Sequence, residues 1–245
     1  MRIRLKLGNA LCTALVISTL SVKAQTVNPS INESVPEIVT DIDGNIYHTI
    51  VIGNQIWFQE NLRVKRYRNG KSIAKQLSDS QWAINKSGAC AVYANDSIKE
   101  NAFGLLYNWY AVANPSGLCP AGWRVPKDSE WNQMVKFLDD YSDTTELKRV
   151  QSEVAGGQLK EIGITHWASP NTGATGTAYF LGYAGGNKGM DGKSNDVGAY
   201  GYWWTATQSS AAEAYGRLLS YFNSNIDRFK ASKNLGFSVR CVMNK

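Results

Sequence analysis

The sequence predicts an α+β fold, with two helices packed on antiparallel strands and a long irregular loop region. Three observations carry this. Strand-like patterns lie at the start and over the last 45 residues of the 245-residue chain, and two helical periodicities lie between them. The stretch 168–198 is rich in Gly, Asn, Ser and Thr, which marks loop. Strands and helices are segregated rather than alternating as βαβ units.

Taken in order, 1–24 reads as a secretory signal peptide. It has Arg2, Arg4 and Lys6 ahead of a short apolar run, 11–20, and Val22-Lys23-Ala24 before a cleavage point after Ala24. The run is shorter than the roughly 20 residues of a membrane span, so no span is expected in the mature chain. Residues 25–36 are polar with two prolines and read as a disordered leader, and 37–243 reads as one domain. The whole chain carries 26 basic and 20 acidic residues. Removing the signal's four basic residues leaves 22 against 20, a net of +2, so no basic stripe argues for nucleic acid.

The motif 41–45, DIDGN, opens the domain as a turn. It resembles the start of a calcium loop, but its glycine is fourth rather than sixth and Ile52 stands where the bidentate glutamate belongs. IYHTIVI (46–52) and QIWFQ (55–59) flank Gly53-Asn54, residues suited to a two-residue hairpin turn. A strand is expected at 89–93. In 103–112, Phe103, Leu106, Tyr107 and Tyr110 follow helical spacing, which predicts the first helix. Trp131, Met134, Val135 and Leu138 predict the second, starting near Asp128, with Asp128 and Glu130 suited to the positive end of its dipole. Residues 139–157 read as a charged loop or short helix ending at Gly156-Gly157. Strands follow at 201–207, 215–222, 226–232 and 237–243, with a turn at Asn223-Ser224-Asn225.

Seven motifs carry a family resemblance: 41–62, FGLLYNWYAV (103–112), GLCPAGWRVPKDSEW (117–131), LKEIGITHW (159–167), SPNTGAT (169–175), GYWWTATQ (201–208) and GFSVRCV (236–242). In this order they resemble the Fibrobacter succinogenes major paralogous domain, found in exported proteins of Bacteroidetes and Fibrobacter. More distantly, WRVPKDSEW and GFSVRCV resemble C-type-lectin-like folds, including the formylglycine-generating-enzyme branch, and so imply a C-type-lectin-like fold.

Cys90, Cys119 and Cys241 remain after signal cleavage, and the sequence alone permits three pairings. The C-type lectin resemblance implies Cys119–Cys241, with Cys90 unpaired. Closing such a loop contributes roughly 4 to 5 kcal/mol in the chain-entropy model. The formylglycine-generating branch binds copper through two nearby cysteines; Cys241 stands alone in its region, so that activity is not implied. The resemblance also departs at Lys127, where threonine is usual; Asp128 is expected to cap the helix instead.

Catalytic constellations are sparse. The two histidines, His48 and His166, read as structural, and no nucleophile elbow or zinc motif is present. Asp191, Asn195 and Asp196 offer oxygen ligands for calcium, and are also ordinary turn formers. Tyr202, Trp203 and Trp204 are adjacent on a strand, so the tryptophans point to opposite faces. One is expected in the core and the other at the surface as a stacking platform, with Arg217, Tyr221 and Arg228 adding polar contacts. These features point to a non-catalytic module that recognises a glycan or a protein at the bacterial cell surface. The alternatives are an enzyme with its site in 168–200 and a structural surface protein.

Overall fold

The computed structural model describes residues 35–145 and 148–244. The expected signal peptide, and all of the leader but its last two residues, lie outside the described residues. Among the described residues, three antiparallel sheets, five short α-helices and one 3-10 turn at Tyr93–Asn95 make a mixed α+β fold. The first sheet runs β1 (Ile38–Thr40), β2 (Ile46–Ile52), β3 (Gln55–Phe58), β14 (Val242–Met243), β6 (Trp123–Arg124). The second runs β10 (Tyr200–Gln208), β11 (Glu213–Ser220), β12 (Ile226–Ser232), β7 (Val150–Ser152). The third runs β4 (Cys90–Ala91), β5 (Leu106–Asn108), β13 (Gly236–Phe237), β8 (Asn187–Lys188), β9 (Ser194–Asn195). The helices are α1 (Asp79–Ile84), α2 (Ser97–Phe103), α3 (Trp109–Val112), α4 (Asp128–Leu138) and α5 (Ala155–Leu159).

The β2–β3 hairpin turns on Gly53, φ +62°, as its sequence predicts. The 41–45 turn is held by Asp41, whose carboxylate accepts from the Asp43 and Asn45 amides and from the Tyr47 hydroxyl. Helix α4 starts at Asp128 as expected, but Asp128 is not its cap. The Glu130 carboxylate accepts the Lys127 N–H at 2.8 Å, and the Asp128 carboxylate turns away toward the second sheet.

The expected helix over 103–112 does not form. Gly104, at φ +75°, stops α2. Leu106–Asn108 then pairs with both β4 and β13 as a central strand. Leu105, Leu106 and Tyr107 are all buried, so the segment is apolar on every side, and periodicity alone does not separate such a strand from a buried helix. Asn108 turns the chain into α3 by accepting the Ala111 N–H. Gly156 and Gly157 begin α5 rather than end a helix. A side chain at Gly156 would meet the Asn225 carbonyl at 2.0 Å, and one at Gly157 the Gly173 carbonyl at 2.1 Å. Glycine here lets the 173 and 225 loops approach.

The expected final strand, 237–243, is split between sheets. Gly236 and Phe237 extend the third sheet, Ser238 exchanges hydrogen bonds with Tyr202 and Trp204 of the second, and Val242 joins the first between β3 and β6. Cys241 bonds to Cys119 just ahead of β6, with Cα atoms 6.0 Å apart and a sequence separation of 122. The second sheet separates two apolar clusters. Trp203 shares one cluster with Trp57, Trp131 and Phe180, and Trp204 shares the other with Tyr107, Trp123 and Phe237. Among the described residues no helix is long and apolar enough to cross a membrane.

Candidate functional site

The register of the second sheet sorts the candidate residues by face, because directly paired residues point the same way. One row is Trp203–Arg217–Arg228 and the next is Tyr202–Leu218–Asp227. The first row lies under α4. Arg217 Nη1 reaches Asp128 Oδ1 at 2.7 Å, and Arg228 Nη2 reaches Asp128 Oδ2 at 2.7 Å. Arg217 also donates to Asn132 Oδ1, and Arg228 stacks on Tyr215 with its guanidinium carbon 3.9 Å from the ring centre. Burial opposes ionisation of Asp128, but the two guanidiniums outweigh it and hold its carboxyl below the usual aspartate range. Burial draws the Arg217 pKa down to about 10, still cationic at neutral pH.

Arg217 and Arg228 are therefore committed to an internal ion pair and do not project toward a ligand. The expectation that Trp203 or Trp204 faces solvent is overturned. Both are 0 % exposed, because each face of the sheet carries its own core. Their indole N–H groups donate to Asn61 Oδ1 and to the Tyr107 carbonyl. Tyr221 is half-buried against the same core as Trp203, and its backbone pairs with Ala199 and Thr172.

The second row is only partly covered. Phe237 stacks over Tyr202 at 5.0 Å and packs at a tilt on Trp204 at 4.3 Å, and Phe229 meets Tyr202 edge-on at 6.1 Å. Tyr200, Tyr202, Leu218 and Asp227 are half-buried, and Phe222, beside Tyr200, is 51 % exposed. Polar groups border these rings. Tyr202 Oη donates to Asp196 Oδ2 at 2.8 Å, Asn187 Nδ2 donates to the same oxygen at 2.7 Å, and Arg149 Nε donates to Asp227 at 3.1 Å. Burial and the Asp196 carboxylate raise the Tyr202 hydroxyl, so it stays a neutral donor. Burial raises Asp227 above the usual aspartate range despite Arg149. Sequence reasoning found Tyr202 and Asp196 but missed Tyr200, Leu218, Phe222, Asp227 and Asn187. Strand alternation from Tyr202 points to Tyr200; Leu218 and Asp227 require the register.

Asp191 and Asn195 lie on the β8–β9 hairpin, where each bonds to the backbone of Lys193. The Asp196 carboxylate is occupied by Tyr202 and Asn187, so the three expected calcium ligands serve separate local contacts. Among the described residues no group of three or more His, Cys, Asp or Glu is placed to hold a metal ion. His48 pairs with Glu60 at 2.6 Å and His166 with Glu161 at 2.9 Å. Cys90 is a buried free thiol, pushed up to about 12 by burial, so it is a poor nucleophile at neutral pH. Lys160, also unanticipated, is fully buried, and its ammonium donates to the carbonyls of Thr172, Ser220 and Asn223. It pins the long loop to the β11–β12 turn, and burial draws its pKa down to about 8.

No curated protein and no solved structure matches the chain. The model of the Fibrobacter succinogenes major domain matches residues 50–243, from the middle of β2 through β14. That span takes in the disulfide, the Asp128 ion pair and both faces of the second sheet, and the chain belongs to the Fibrobacter succinogenes major domain family.

Proposed function

We propose that this domain is a non-catalytic recognition module, and that its ligand is a glycan bound on the uncovered half of the second sheet. The observation that carries the reading is the Tyr202–Leu218–Asp227 row, left partly open beside the covered Trp204. Sugars present apolar C–H faces that stack on aromatic rings and hydroxyls that bond to carboxylates and amides. Tyr200, Tyr202 and Phe222 supply the rings; the exposed Asp196 and Arg149, with Asp227 beside them, supply the polar partners. The groups that catalysis would use are tied up elsewhere: both histidines are paired with glutamates, Cys90 is buried, and Arg217 and Arg228 hold Asp128.

The module works outside the cytoplasm in this reading, with 1–24 removed after Ala24, 25–36 as leader and 37–243 as the domain. A disulfide is stable in that oxidising setting. The disulfide joining the approach to α4 with the last strand also favours a C-type-lectin-like ancestry. Two experiments test the proposal. A glycan array probed with the purified mature chain, with and without calcium, is expected to give selective binding that Tyr202→Ala weakens about tenfold, the loss of one good aromatic contact. Uniform absence of binding in both conditions overturns the glycan assignment. N-terminal sequencing of the exported protein is expected to start at Gln25; a start at Met1 refutes the cleavage.

A further inference from the structure

Away from the sheet face, a cavity of about 530 Å³ opens between the 75–78 segment, β4 and the start of α2. That volume lies in the range of small-molecule sites. Its inner wall is apolar, formed by Ala91, Val92 and Leu105, and its mouth is polar, with Lys75, Asn95 and Ser97. Two charged residues on its wall, Lys65 and Glu100, neutralise each other at 2.5 Å. Lys75 therefore leaves a net positive charge at the mouth. Lys75, Asn95 and Ser97 have no side-chain partner among the described residues, unlike the polar groups of the core.

We infer that this cavity is a binding site for a small organic monoanion with an apolar body. Its carboxylate sits on Lys75 with Asn95 and Ser97 donating, and its body lies on Leu105, Ala91 and Val92. A multiply charged inorganic anion leaves the apolar wall uncovered, and a neutral apolar molecule leaves Lys75 without a partner. The site is independent of the glycan face.

The test uses the mature chain with hexanoate as probe, against 1-hexanol and inorganic phosphate, followed by calorimetry and by amide shifts in NMR. Hexanoate is expected to bind at least fivefold tighter than either control and to shift Ala91, Val92 and Leu105. Lys75→Glu, an exposed substitution, is expected to weaken hexanoate at least tenfold without lowering Tm, while Tyr202→Ala leaves it unchanged. Equal binding of hexanoate and hexanol, binding indifferent to Lys75→Glu, or shifts confined to other parts of the molecule each overturn the assignment.

Discussion

The two faces of the second sheet use the same three strands for opposite ends. On the α4 face, Arg217 and Arg228 converge on Asp128 and nothing is left for a ligand. On the other face, Tyr202, Leu218 and Asp227 are half-buried, and their polar neighbours lie at the surface. The residues that look most chemical in the sequence are structural, and the half-buried ones are interleaved with them one position away. A buried ion pair of this kind contributes little net stability, because desolvation offsets the attraction, but breaking it exposes the loss in full.

The largest test of this contrast is the closure that delivers Phe237 to the sheet. Replacing both Cys119 and Cys241 by serine is expected to cost up to about 5 kcal/mol in urea unfolding, from a loop of 122 residues. A midpoint unchanged from wild type would mean that the cover is held without the disulfide. Next, Asp128→Ala strands two buried guanidiniums and is expected to cost about 3 to 5 kcal/mol. The pH profile sharpens the same point. The native Asp128 pKa lies below the unfolded aspartate value of about 3.9, so its contribution is complete above that value and is lost as pH falls through the native one. The acid limb of stability is therefore expected to flatten in Asp128→Asn; an identical limb would place the pH sensitivity elsewhere. The smallest stability effect is expected from Tyr202→Ala on the open face, about 1 kcal/mol, with glycan binding weakened about tenfold. A loss as large as that of Asp128→Ala would mean the open face is core, and the contrast would fail.

Local chemistry was legible where it is self-contained. Gly53-Asn54 demanded a turn, and the Trp131–Met134–Val135–Leu138 spacing demanded a helix; both are present. Residues 103–112 misled because a strand buried on both faces has no polar side to betray its period. Trp203 and Trp204 were correctly assigned to opposite faces, but the sequence does not announce that both faces carry a core. The open row escaped for a related reason. Tyr202, Leu218 and Asp227 are far apart in sequence and meet only through strand register. Lys160 gave no signal at all, since its partners are backbone carbonyls, which every residue possesses.

The segment 236–243 touches all three sheets within eight residues. It thereby imposes an order of events on biogenesis. Chains lengthen from the N-terminus during synthesis, so β2, β3, β5 and β10 all emerge before the strand that joins their sheets. The first sheet lacks the connection between β3 and β6 until Val242 arrives, and the third lacks the connection between β5 and β8 until Gly236 does. A nascent chain stalled before residue 236 would hold hairpins without the strand that joins them. The three sheets are thus joined only once residues 236–243 have emerged.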